Sequence, residues 1–120
     1  MKDEKITVYS CSGCSNVAQL ANKIAVQLDR QKLAKMSCIA GVGAGVPSLL
    51  KVAKNAEKIL VLDGCPIACA KKCLENQSIK MDKHFILTEF EIKKIDGEDV
   101  NEEEFRNIYQ QIICSLPDIS

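Results

Sequence analysis

The sequence is most constrained by the stretch from Ile59 to Cys73, where a short apolar run ends at Asp-Gly and three cysteines follow at four-residue spacing. The apolar run is typical of a buried β-strand, and Pro66 suits the first turn of a helix. Residues four apart share one helix face, so Cys65, Cys69 and Cys73 are predicted to line up where a strand ends and a helix begins. Open α/β sheets bind ligands at that edge.

The rest of the chain repeats this alternation of strand and helix. Runs rich in β-branched and apolar residues predict strands at about 5–10, 33–39, 58–63 and 84–88. Apolar spacings of three and four and capping residues predict helices at about 17–30, 47–55, 65–76 and 101–115. The alternation predicts an α/β fold, a three-layer sandwich with a four-stranded, mainly parallel sheet and helices on both faces. Short right-handed connections favour the strand order 2-1-3-4.

Length and composition indicate one cytosolic domain covering residues 1–120. An apolar fraction of 47% supports a core, and 16 basic against 16 acidic residues leave no electrostatic footprint for nucleic acid or an anionic membrane. No signal segment or membrane span is visible, so a cytoplasmic location is expected. Seven cysteines in a reducing compartment favour metal ligands or redox groups over structural disulfides.

The predicted strand order places strands one and three side by side. The loop with Cys11 and Cys14 then lies next to the one with Cys65 and Cys69, and Cys38 lies on the other side of the first loop. Zinc accepts four thiolates in a tetrahedral site, whereas an iron–sulfur cluster uses the same ligands and is the second choice. We therefore expect a zinc site formed by these four cysteines, with Cys38 nearby, in a protein of metal handling or sensing.

Two other interpretations stay open. In the first, the protein is a thiol redox or sulfur-transfer enzyme in which Cys38 or Cys65 attacks as a thiolate and a neighbouring thiol resolves the product. In the second, the protein is an interaction module and the metal only stabilises its fold. This interpretation ranks last, because the sheet is expected to be large enough to be stable without a metal. The sequence does not define the metal, the exact ligands, the protein partner or the oligomeric state.

The remaining polar and cysteine residues carry weaker signals. Cys114, beside Ile112 and Ile113, is expected to be a buried apolar residue of the last helix. His84 opens the fourth strand and is expected to be partly exposed, and Asp63 is expected at most to orient a ligand. The glycines at 41, 43 and 45 lack the spacing of a dinucleotide loop, and positions 16–19 lack the arginine of a cysteine-dependent phosphatase.

Four sequence blocks together resemble the DGC-domain family, whose members are described as small, cytosolic, prokaryotic zinc-binding proteins without an established reaction. The blocks occur in the family's order and are Cys11–Asn16, Met36–Gly41, Asp63–Cys69 and Thr88–Lys94. The resemblance spans roughly residues 6–110 and implies that Cys11, Cys14, Cys38, Cys65 and Cys69 are motif positions. One departure is Glu91, where the family usually has a glycine.

Overall fold

Four strands and five helices alternate along residues 5–119, the part of the chain that this computed structural model describes. The sheet is entirely parallel and has the order β2-β1-β3-β4, which confirms the predicted fold class and strand order. Residues 1–4 and 120 lie outside the described residues. The expected lack of a signal segment and the expected ends of the domain concern those residues and are not addressed by the structure. The elements are β1 (Ile6–Ser10), α1 (Asn16–Arg30), β2 (Lys35–Met36), α2 (Ile39–Gly43), α3 (Pro47–Asn55), β3 (Lys58–Asp63), α4 (Cys69–Asn76), β4 (Lys83–Ile86) and α5 (Glu102–Ile119).

Different helices cover the two faces of the sheet. Alternate residues of a strand point to opposite faces, so Val8 and Leu60 pack with α1 and α5, whereas Tyr9 and Val61 pack with α2, α3 and α4. The central strands β1 and β3 are buried along almost their whole length, as expected for a parallel sheet covered on both sides. No helix within residues 5–119 has the length and apolar character needed to cross a membrane.

The second strand is shorter than predicted. The expected strand at 33–39 is reduced to Lys35–Met36, because Leu33 and Ala34 still donate to the Leu28 carbonyl in the turn that ends α1. At the other end, Cys38 becomes the N-cap of α2. Two of the three glycines at 41, 43 and 45 therefore lie in a helix.

The three cysteines of the opening stretch do not share one helix face, so that prediction is wrong for Cys65. Helix α4 begins only at Cys69, and the preceding residues form a turn in which the Ala68 N–H donates to the Cys65 carbonyl at 3.0 Å. Ala68 has a φ of 55°, in the left-handed region, which turns the chain before the helix. Pro66 accordingly lies in this turn and not in the helix.

The carboxyl-terminal third also differs in its bounds. The fourth strand ends at Ile86, and a 3₁₀ turn follows at Leu87–Phe90. Asn101 caps α5 as predicted, accepting the Glu104 N–H at 2.9 Å. The helix continues beyond the expected residue 115 to Ile119, which is buried against the core on the α1 side of the sheet.

Candidate functional site

A cavity of about 190 Å³ lies at the carboxyl ends of β1 and β3, where the strand order predicts a site. Four thiols line it, and we call it the four-cysteine cavity: Cys11, Cys14, Cys65 and Cys69. Cys11 and Cys65 are half-buried, whereas Cys14 and Cys69 are exposed, and all are free thiols. The structure thus brings four of the five sequence-predicted site cysteines to one cavity.

Cys11 is the most enclosed of these thiols. Its Sγ accepts a hydrogen bond from the Gly64 N–H at 3.2 Å, which links the loop after β1 to the turn after β3. Burial raises the pKa of Cys11 from 9.0 to about 11, and the negative charges of Asp63, Cys69 and Cys65 add to this effect against the opposing Gly64 amide. Cys11 is therefore protonated at neutral pH in the metal-free protein.

Gly64 allows the two cysteine loops to meet. A Cβ atom at this position would lie 2.7 Å from the Val17 carbonyl carbon and 2.8 Å from the Ala18 nitrogen, both in the first turn of α1. These are backbone atoms and cannot rotate away. Only glycine permits this approach of α1 to the turn that carries Cys65.

Asp63 connects three elements beneath the cavity. Its carboxylate is 1% exposed and accepts the Ala70 N–H at 2.9 Å on Oδ1 and the Lys71 N–H at 3.2 Å on Oδ2. His84 of β4 donates from Nε2 to Oδ2 at 2.8 Å. Asp63 thus holds the first turn of α4, and with it Cys69, against the sheet. His84 is of intermediate burial, with its side chain 13% exposed, which agrees with the prediction of a partly exposed strand residue.

The cation that lines the cavity is Lys94, which is not among the site residues predicted from the sequence. Its Nζ donates to Cys65 Sγ at 3.5 Å. This hydrogen bond and the charge of Cys65 raise the pKa of Lys94, so its ammonium form is favoured beside the thiols. Lys94 is the last residue of the fourth block that resembles the DGC-domain family, and its place in that block is the sequence signal that could have identified it as a site residue. Lys71 of α4 is not among the residues that line the cavity, and its Nζ lies 4.0 Å from Glu75 Oε2.

Lys94 is carried by residues 91–97, which we call the Lys94 loop, and Asn16 anchors this loop. The Asn16 side chain donates to the Lys93 carbonyl at 2.9 Å and accepts the Ile95 N–H at 2.7 Å. The Asn16 N–H donates to the Ile95 carbonyl at 3.1 Å. The same residue that begins α1 therefore fixes the opposite wall of the cavity.

Glu91 begins the Lys94 loop in a left-handed conformation, with a φ of 64°. A non-glycine residue rarely adopts this conformation, and glycine adopts it without steric cost. The glycine that the family resemblance implies at this position would suit this backbone conformation. The loop forms here despite the substitution.

The remaining cysteines lie outside the four-cysteine cavity. Cys38 is exposed at the start of α2, where its Sγ accepts the Gly41 N–H at 3.4 Å. Cys73 packs against α2, because a Cβ at Gly43 would lie 2.9 Å from its Sγ. Cys114 is exposed, so its prediction as a buried residue is wrong: Ile112 is the inward-facing neighbour on α5.

The donor set of the cavity suits a thiophilic divalent ion. Four sulfur atoms from two loops match the ligand type and number that zinc takes in closed sites. Within residues 5–119, however, no three histidine, cysteine, aspartate or glutamate side chains converge as ligands of one ion. Binding of zinc by these thiols would therefore require their side chains to turn toward a common centre.

Comparison with known proteins identifies a family and one curated relative. The family profile of the DGC domain matches residues 7–112. The chain is similar to the anaerobic and virulence modulator AnvM of Pseudomonas aeruginosa, with 49% identity over 105 residues that cover 88% of this chain and 80% of the relative. No solved structure matches the chain significantly.

Proposed function

Because the chain belongs to the DGC-domain family, we propose that it is a cytoplasmic, cysteine-based metal-binding protein that acts in metal handling or sensing. Zinc is the proposed ion, and Cys11, Cys14, Cys65 and Cys69 are its proposed ligands. The observation that carries this proposal is that four thiols from two separate loops line one cavity.

The accessibility of the thiols supports reversible metal binding over a metal site that only stabilises the fold. Cys14 and Cys69 are exposed, so an incoming ligand or chelator can reach them without unfolding the protein. The buried residues of the two hydrophobic clusters, on either side of the sheet, are side chains that do not line the cavity. A site whose loss leaves the core intact can report metal availability, whereas a structural zinc contributes directly to folding.

Charge at the cavity also supports a thiolate-bound cation. Four thiolates around a divalent ion leave a net negative charge, and the Lys94 ammonium beside Cys65 offsets part of it. The relative AnvM is named as a modulator, and we extend a regulatory role to this chain on that similarity. The proposed signal is the occupancy of the four-cysteine cavity.

Zinc titration against a competing chromophoric chelator tests this proposal. We expect the reduced protein to bind about one zinc ion per chain, and Cys14→Ser and Cys69→Ser each to weaken binding by at least about tenfold. Cys114→Ser is the matched control, because it alters another exposed helical cysteine, and it should bind as the wild type does. Failure to compete with a micromolar chelator, or equal affinity in all four proteins, would count against the zinc site.

The contact between Lys94 and Cys65 favours a second candidate, a thiol redox or sulfur-transfer activity with Cys65 as the attacking group. A neighbouring ammonium stabilises a thiolate and thereby increases its reactivity. Alkylation of the metal-free protein at pH 7, followed by peptide mass spectrometry, tests it. Cys65 should react faster than Cys114, and Lys94→Met should remove the difference. An ordinary rate at Cys65 would leave metal binding as the function of the cavity.

A further inference from the structure

The edge strand β4 and the segment after it contact the turn after β3 at consecutive residues. Three hydrogen bonds join them: His84 Nε2 to Asp63 Oδ2 at 2.8 Å, the Thr88 N–H to the Gly64 carbonyl at 3.1 Å, and Lys94 Nζ to Cys65 Sγ at 3.5 Å. One edge of the sheet therefore holds the turn that supplies half of the four-cysteine cavity. Of these three contacts, the one from His84 reaches furthest into the fold.

The register of β3 and β4 brings His84 to Asp63. Paired residues of a parallel sheet point to the same face, so His84 shares a face with its partner Val61, and Asp63, two residues further along β3, points the same way. Helix α4 covers this face, since Ala70 and Leu74 pack in one cluster with Val61. The two polar side chains therefore meet beneath α4, and a one-residue shift of β4 would separate them.

Asp63 carries the contact on to the start of α4. Its Oδ1 accepts the Ala70 N–H at 2.9 Å, and its Oδ2 accepts both the Lys71 N–H at 3.2 Å and the His84 ring. The first N–H groups of a helix have no partner within the helix, and Ala68 at the N-cap position makes no side-chain capping bond. Asp63 therefore acts in place of a cap, and His84 supplies its side-chain donor.

Cys69 depends directly on this anchored turn. It is the first residue of α4, it is exposed, and it lines the four-cysteine cavity. The residue before it, Ala68, has a left-handed φ of 55°. A non-glycine residue keeps such a conformation only where its surroundings hold it there. The hydrogen bonds from His84 to Asp63 and from Asp63 to α4 are the contacts that hold this junction on the helix side.

We propose that His84 is a positioning residue of the four-cysteine cavity: it fixes the Asp63 carboxylate, which fixes the first turn of α4, and so holds Cys69 where it can share a metal ion with Cys65. The inference rests on the proposed function of metal binding and adds to it a residue that does not line the cavity. A ligand whose backbone is already held loses less freedom on binding, so it releases the metal more slowly.

Zinc release to an excess of competing chelator tests this role in the loaded protein. His84→Phe keeps a ring but removes the donor, and should speed up release by about tenfold. His84→Val, which favours a strand and also lacks the donor, should behave alike. His84→Gln offers an amide N–H in place of Nε2 and should restore the wild-type rate to within about threefold. Phe85→Leu is the matched control: it alters the next residue of β4, which packs against the core on the α1 side, and should leave zinc release unchanged.

Amide hydrogen exchange, followed by NMR in the metal-free protein, gives a measurement that needs no metal. The amides that donate to Asp63 are those of Ala70 and Lys71, whereas the amide of Ile24, within α1, reports unfolding of the whole chain. In His84→Phe the protection of the two α4 amides should fall by about tenfold relative to Ile24. His84→Gln and the matched control should keep the ratio of the wild type.

The possible results separate this inference from the proposed function. A wild-type protein that binds no zinc would overturn the metal site, and the exchange ratio would then decide alone whether His84 holds the first turn of α4. Zinc release from His84→Phe at the wild-type rate, or an unchanged exchange ratio, would overturn the positioning role and leave the zinc site in place. Equal acceleration in His84→Phe and Phe85→Leu would also overturn it, since a general loss of stability would explain both.

Discussion

The Nε2 atom of His84 lies 2.8 Å from Oδ2 of Asp63, and this pair joins the edge strand β4 to the first turn of α4. Both side chains are largely enclosed, and the carboxylate accepts three hydrogen bonds in all. The first turn of α4, which presents Cys69 to the cavity, is therefore anchored by a residue of the sheet and not by a cap within its own loop.

Asp63→Asn should destabilise the protein by at least about 2 kcal/mol, because the amide group replaces an acceptor with a donor that faces other N–H groups. Urea unfolding followed by circular dichroism measures the change. Asp118→Asn, at an exposed position of α5, is the control and should stay within about 0.5 kcal/mol of the wild type. Similar stabilities for the two variants would show that the buried network contributes little.

Gly64→Ala should destabilise the fold by about 2–3 kcal/mol, since the added Cβ meets backbone atoms of Val17 and Ala18 within 2.8 Å and α1 must move. Gly13→Ala provides a matched control in the first cysteine loop, where the new Cβ would lie 3.6 Å from the Ala18 side chain, an ordinary contact. Denaturant midpoints of both variants should differ clearly. A tolerated Gly64→Ala would mean that the two loops are not in close contact.

Glu91→Gly should stabilise the protein by about 0.5–1 kcal/mol, because the relief of a left-handed φ of 64° exceeds the entropy that glycine adds to the unfolded chain. Glu89→Gly, in the preceding 3₁₀ turn, should destabilise it, because no such strain is relieved there. Thermal unfolding of the two single variants gives the comparison. A loss of stability in Glu91→Gly would indicate that the glutamate side chain has a structural role of its own.

The raised pKa of Cys11 predicts a loss of stability at alkaline pH. Below the ordinary value of 9.0 both the folded and unfolded chains hold the proton; between 9.0 and about 11 the unfolded chain releases it first. The free energy of unfolding should therefore fall across this range in metal-free protein. Cys11→Ser should make the decline shallower, whereas Cys114→Ser should not. An unchanged slope in Cys11→Ser would assign the alkaline loss to other groups.

Topology explains how much of the site is readable from sequence. Periodicity predicts that β1 and β3 are neighbours, and this adjacency alone is enough to bring the Cys11 loop to the Cys65 turn. Periodicity does not predict that Cys65 precedes the helix, because the start of the helix depends on the Asp63 carboxylate and on the left-handed conformation of Ala68. Neither leaves a periodic signal.

Lys94 escapes prediction for a related reason. The Lys94 loop has no regular secondary structure, and its position is set by hydrogen bonds to Asn16, nearly eighty residues earlier in the chain. Cys114 shows the opposite failure: its apolar neighbours suggest burial, but on a helix the residue two positions after an inward-facing Ile112 turns toward solvent.

The anchoring of the Lys94 loop by Asn16 also sets the order in which the protein can be completed during synthesis. Cys11 and Cys14 leave the ribosome early, whereas the loop that covers their side of the cavity is made only after all four strands. Contacts so distant in the chain form late in folding. A nascent chain therefore exposes the Cys11 and Cys14 thiols through most of its elongation, before the loop that carries Lys94 can reach Asn16.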